Sequence, residues 1–223
     1  MPTHLYKALI IFWSLTPWAF LTLGLHWFEN IPGTFFLYHF CCLAPAIAIN
    51  RKAWQSHLIA PTRGELLTIL VAGAGLATLT YFVYSAYGHI LIDKETALTS
   101  LHERGYQPGW FLPMSAYFLI VNPVIEELFW RGVVLNELEG ENFRLFALSS
   151  VWTNCAFAAW HFLVVRLFVR PTFVPLAVLI VVAVGFYLSW LYRKTGSVLV
   201  PALWHSLVFD LAVVVMLYLV VHT

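Results

Sequence analysis

The chain is a succession of long apolar runs separated by short polar links. Seven runs approach the roughly 20 predominantly apolar residues that a membrane-spanning helix needs. They cover 5–28, 33–50, 65–92, 110–136, 144–169, 173–192 and 198–221. The most polar link, 93–108 (DKETALTSLHERGYQP), predicts a short interfacial helix. The third run is long and carries Gly73 and Gly75, which predict a bend or a split; a split gives eight helices as the alternative count. No link could hold a second soluble domain. The pattern therefore predicts one transmembrane domain over 1–223, an all-α polytopic helix bundle. The first run has Lys7 near its start and no small-x-small cleavage site after it. It reads as a retained helix rather than a signal peptide.

Composition supports this reading and removes others. Hydrophobic residues make up 61% and charged residues 10%, against about 45–50% and about 25% in soluble chains. With a formal net charge of +1 and no basic stripe, nucleic acid is not an expected partner. Cys41, Cys42 and Cys155 lie in apolar runs and read as small hydrophobes rather than a disulfide framework. Trp54 and Trp110 sit where interfacial anchors belong. A cytoplasmic N-terminus places seven Lys and Arg inside (Lys7, Arg51, Lys52, Arg63, Arg144, Arg193, Lys194) and four outside (Lys94, Arg104, Arg166, Arg170). The positive-inside rule thus favours N-in and C-out. No N-x-[ST] sequon occurs, which leans toward a prokaryotic plasma membrane.

Ionisable residues inside spans are costly, about 2.5–3.5 kcal/mol even on insertion scales, and so mark function. The fourth run holds VNPVIEELFWRGVVL, with Glu126, Glu127 and Arg131. The fifth holds Asn154 and His161, and the seventh holds His205 and Asp210. His26, His39 and His89 have no carboxylate cluster around them in the sequence and read as structural or interfacial. Glu127 and Arg131 are i,i+4 and can pair along one helix face. Glu126 points about 100° away, on a stripe with Asn122 and Trp130. One carboxylate is then held by the arginine while its neighbour is free to take a proton from water. His161 shares a face with Phe157 and Asn154. Charged clusters on three helices can converge only inside the bundle, and Pro123, Pro175 and Pro201 can bend helices around an intramembrane cavity.

Glu126-Glu127-x-x-x-Arg131, then Phe157-x-x-x-His161, then His205 in a later helix, resembles the CAAX protease and bacteriocin-processing family of intramembrane proteases, also called the abortive-infection family. The resemblance covers about 113–215, the expected catalytic core. It implies a helical bundle around a hydrophilic cavity and peptide-bond hydrolysis by glutamate-activated water. It implies Glu126 as general base, His161 as orienter of the water, Glu127 and Arg131 as holders of that helix end, and His205 as the group that polarises the scissile carbonyl. One position departs. The family carries Asn or Asp four residues after the last His; here Phe209 stands there and Asp210 follows, about 140° from His205 on a regular helix. Either a π-bulge re-registers Asp210, or Asn154 or Asn122 supplies the second oxyanion donor. Asn154, which donates without needing a proton of its own, is the preferred candidate.

Rival chemistries fit less well. The nearest approach to HExxH is His102-Glu103-Arg104-Gly105-Tyr106, with no second His. No GxGD motif occurs, no Ser has a GxS setting with a partner His, and Cys155 faces away from His161. No cofactor is expected, although two His and a Glu also form a catalytic zinc set. The non-enzyme alternatives are a membrane scaffold, an immunity protein or a transporter; no inverted repeat supports the last. The expected partners are the lipid bilayer and a membrane-anchored protein or peptide substrate. The resemblance suggests a CAAX-type tail, a bacteriocin leader or a C-terminal sorting tag.

Overall fold

A computed structural model describes residues 3–139 and 147–222. Arg144 of the charge count, and the start of the predicted 144–169 run, lie outside these residues. Among the described residues the fold is all-helical, with no strand and one isolated bridge, Ile92 to Val169. Six helices are long and apolar enough to cross a membrane: α1 (His4–Trp27), α2 (Ile31–Ile49), α3 (Arg63–Leu91), α6 (Leu148–Val165), α7 (Pro171–Thr195) and α8 (Leu199–His222). The polar link forms α4 (Lys94–Glu103), capped by Asp93, whose carboxylate accepts from the Thr96 amide at 3.3 Å.

The fourth predicted run is helical too, but it is not one of the six. This stretch, α5 (residues 111–139), is interrupted at Val121 and carries the charged cluster. The cause of the break is local. Pro123 has no N–H to give the carbonyl of Leu119, and the Ser206 hydroxyl of α8 donates to that carbonyl instead. The stretch nonetheless runs the length of the bundle. Phe111 packs edge-on against His222, with ring centroids 5.1 Å apart. At the other end Leu138 accepts from Lys7 at 3.0 Å, and Asn136 donates to Ala53 O at 2.7 Å. We call these the carboxyl end and the amino end of the bundle.

The split that would have given the alternative count of eight is absent: α3 is one unbroken helix of 29 residues, with Thr62 and Glu65 forming a capping box. Gly73 serves a close approach instead. A Cβ there would collide with the backbone carbonyl of Leu207 in α8. Gly75 faces open space.

Four π-helical segments occur among the described residues: Leu23–Trp27, Leu37–Leu43, Leu128–Leu135 and His205–Asp210. Such segments concentrate at functional sites because each rotates the following side chains relative to an α-helix.

Candidate active site

The three clusters predicted to converge do so, in the middle of the bundle. α5 supplies the carboxylates, and α8 places its π segment against them. Glu127 and Arg131 are fully buried and paired, Nη1 to Oε1 at 2.8 Å. The guanidinium is fixed twice more: Nη2 donates to Gly185 O of α7 at 2.9 Å, and the group lies 4.6 Å over the Phe157 ring of α6. The same Glu127 oxygen also contacts His205 Nδ1 at 2.9 Å. Since a carboxylate oxygen accepts, His205 carries a hydrogen on Nδ1, and its Nε2 is aimed away from Glu127. Nε2 faces Asp210 Oδ1 at 3.5 Å and Glu126 Oε2 at 3.9 Å.

Asp210 reaches His205 because the segment between them is π-helical. The i→i+5 register of a π turn stacks residue 210 over residue 205, where an α-helix would leave them about 140° apart. Asn122 Nδ2 then donates to Asp210 Oδ2 at 3.1 Å, tying α5 to α8 across the site.

His161 is held by its own helix. Nδ1 lies 2.8 Å from Phe157 O, and the ring stacks on Trp160 with centroids 3.7 Å apart. A carbonyl can only accept, so Nδ1 bears the hydrogen and the neutral ring presents a lone pair at Nε2. Glu126 is buried, and neither of its oxygens has a hydrogen-bond partner among the described residues.

A pocket of about 170 Å³ brings these groups together; Asn122, Glu126, His161, His205 and Asp210 line its inner part, with Tyr38 of α2 beside them. The rest of the lining is overwhelmingly apolar. Arg131 and Glu127 lie behind the wall and act on the pocket only through His205 and the helix they hold.

Asn154, preferred from the sequence as second oxyanion donor, lies outside the pocket. Its Nδ2 donates to Ser150 O at 2.9 Å, and its Oδ1 accepts from Ser189 at 2.8 Å. Its neighbour is Gly185, where a Cβ would sit 3.1 Å from Oδ1. The π segment changes the balance: Asp210 and Asn122 take the pocket positions, and Asn154 joins α6 to α7.

The sequence reading gave α2 no part in the site, taking His39 as structural or interfacial. Tyr38 packs on Trp160 with centroids 4.9 Å apart. His39 is fully buried beneath it, its Nδ1 2.9 Å from the Tyr117 hydroxyl. No motif marks either residue; only the fold brings α2 to the Glu126 face. Among the described residues no group of three His, Cys, Asp or Glu side chains is placed to hold a metal ion.

Six long apolar helices around a buried carboxylate–histidine pocket define an integral membrane protein with an intramembrane site. Residues 108–209 match the family model of the type II CAAX prenyl endopeptidase, Rce1-like, a group within the CAAX protease and bacteriocin-processing family. The matched segment carries all three motifs, and the family is one of proteases. It holds every site residue named above except Tyr38, His39 and Asp210, which is the first residue beyond it. No curated protein and no solved structure matches the chain.

Proposed function

We propose that the protein is an intramembrane endopeptidase that hydrolyses a peptide bond of a membrane-tethered protein or peptide, using water activated by Glu126. One observation carries the reading. Of two adjacent buried carboxylates, Glu127 takes Arg131 and His205 on one oxygen, while Glu126 faces the pocket with no hydrogen bond on either oxygen among the described residues and with His205 Nε2 3.9 Å from Oε2. A buried polar group without a partner costs about 1–3 kcal/mol, and a fold retains that cost where the group has work to do.

The geometry supports the following steps. Glu126 accepts a proton from a water held between it and the His161 Nε2 lone pair, and the water oxygen bonds to the scissile carbonyl carbon. The carbonyl oxygen becomes negative and takes hydrogen bonds from protonated Asp210 and from Nε2–H of His205, which as an imidazolium also keeps its Nδ1–H on Glu127. Collapse of the tetrahedral intermediate breaks the C–N bond, and Glu126 returns its proton to the departing amine. Arg131 and Glu127 keep His205 oriented. Residues 113–215 form the catalytic core of a single transmembrane domain in which α5, fourth in chain order, brings the crossings to seven, in a prokaryotic plasma membrane with the N-terminus cytoplasmic.

The test is cleavage of a lipid-anchored peptide library by reconstituted protein. Glu126→Gln keeps shape and removes basicity, so turnover should vanish while folded yield and melting stay those of the parent. His161→Ala should do comparable damage, and the double variant should be no worse than either single one, as for residues acting as a unit. Near-parental turnover by Glu126→Gln would refute the general-base assignment.

A further inference from the structure

The pocket has a direction. Beyond the catalytic groups its lining continues through residues at one end of the bundle only: Leu25 of α1, Ile31 of α2, Leu101 of α4, Tyr106, Leu167 after α6 and Leu217 of α8. All belong to the carboxyl end, where α4 lies and the chain reaches His222. Leu101 and Tyr106 also line a second, more open pocket of about 360 Å³ between α4 and Val221. The two spaces therefore adjoin at the polar link that the sequence marks as interfacial.

Toward the amino end the site is shut. Phe129, Trp130, Val133, Val134 and Leu135 follow the Glu pair on α5, and all are fully buried. Trp54, in the segment after α2, closes on Gly132 so tightly that a Cβ there would lie 2.8 Å from the Trp54 Cβ. The loops of that end are bonded to one another: Val198 N donates to His57 O at 2.9 Å, and Ser197 to Ile59 O at 2.5 Å. The carboxyl-end segments are bonded too, Ile31 N to Arg104 O at 2.9 Å, Arg170 N to Leu91 O at 2.9 Å and Arg104 Nε to Leu25 O at 3.1 Å, but both pockets lie on that side of the catalytic groups and neither is lined by a residue of the amino end.

The Lys and Arg distribution gives the two ends their sides. Described cations at the amino end are Lys7, Arg51, Lys52, Arg63, Arg193 and Lys194; those at the carboxyl end are Lys94, Arg104, Arg166 and Arg170. The basic end faces the cytoplasm.

We infer that the scissile bond enters from the non-cytoplasmic face, so that the substrate is an exported polypeptide still tethered to the membrane, not a cytoplasmic tail. This rests on the protease reading for its chemistry and on the pocket alone for its direction. A prenylated tail on the cytoplasmic face would arrive at the end that Phe129–Leu135 and Trp54 close. An exported segment leaving the bilayer beside α4 would meet Tyr106 and Leu101 first, and Glu126 farther in.

The experiment reads direction without needing turnover. Cys41, Cys42 and Cys155 are replaced by Ala, and one cysteine is introduced at a time: Ser115→Cys or Met114→Cys in the pocket, Lys52→Cys at the amino end, Lys94→Cys at the carboxyl end. A charged, membrane-impermeant thiol reagent is applied to bacterial spheroplasts and to inverted membrane vesicles, on protein whose folding is checked by gel filtration. Both pocket cysteines and Lys94→Cys should react at least tenfold faster in spheroplasts, and Lys52→Cys at least tenfold faster in inverted vesicles. The inference is overturned if the pocket cysteines react from the Lys52 side, if they react from neither side, or if the two end markers exchange faces. Labelling as expected in a protein that cleaves no tethered peptide on either face would instead refute the protease reading, and the two failures are thereby told apart.

Discussion

Replacing Arg131 with alanine strips a buried charge of its partner. The guanidinium is fully buried and meets Glu127 at 2.8 Å, Gly185 O at 2.9 Å and the Phe157 ring at 4.6 Å. Breaking one side of a buried ion pair costs about 3–5 kcal/mol, because the surviving charge stays desolvated. The Gly185 carbonyl is orphaned at the same time, and the ring loses its cation. One contact limits the loss: Glu127 keeps the hydrogen bond from His205 Nδ1, which places the expectation at the lower end, about 3 kcal/mol. For a chain of this size that is roughly 6–12 °C in Tm. The assay is thermal unfolding in detergent, followed by gel filtration with intrinsic tryptophan fluorescence, alongside folded yield. Replacing both partners with uncharged groups, Glu127→Gln with Arg131→Met, should recover most of the yield, since no charge is left buried alone. Activity should not return with it, because a neutral amide in place of the Glu127 carboxylate holds His205 less firmly. An Arg131→Ala protein that expresses and melts like the parent would refute the reasoning, by showing that water reaches this helix face.

Three further outcomes are expected. Asp210→Ala should lower turnover about 10²–10³-fold, the loss of one oxyanion donor, whereas Asn154→Ala should lower melting temperature and leave the turnover of folded protein within a few-fold; the reverse pattern in a peptide-cleavage assay would return the donor role to Asn154. Gly73→Ala should reduce both folded yield and turnover, while Gly75→Ala should be neutral or stabilising by up to about 1 kcal/mol; equal melting of the two variants would contradict the close approach to Leu207. Turnover should survive prolonged treatment with 1,10-phenanthroline, and its loss with recovery on added zinc would move the site to metal chemistry.

How much of this was legible in the sequence depends on what each property requires. Helix existence was legible because apolar run length is set by bilayer thickness, and the bounds of α1, α2, α3 and α8 fall within two residues of the runs. The Glu127–Arg131 pair was legible because i,i+4 geometry is local. The interruption at Val121 was marked by Pro123, but its accommodation by Ser206 is a tertiary contact with no local sign. Gly73 was visible as a glycine and read as a bend or a split, since a close approach and a break leave the same residue. Tyr38 was passed over and His39 read as structural or interfacial, because their relevance comes from α2 packing against α5.

The register of Asp210 was the least legible property of all, and the reason connects the glycine to the chemistry. A π turn leaves backbone groups outside the regular i→i−4 ladder and bulges the helix outward. An isolated helix would relax to α, since π segments are rare. Here the bulge is held from three sides. Ser206 bonds to Leu119 O, a carbonyl that Pro123 frees. The Leu207 carbonyl sits where a Cβ of Gly73 would be. Asn122 grips Asp210 from α5. Each restraint is an unremarkable residue on a different helix, so a scan of residues 205–210 alone finds only Phe209 where the family has Asn or Asp. An extra residue before the acid and a π turn that absorbs it restore the same juxtaposition. On this argument, Gly73 acts on catalysis through Asp210: Gly73→Ala pushes the Leu207 carbonyl back toward the ladder, turns Asp210 off His205, and lowers kcat even in the fraction that folds.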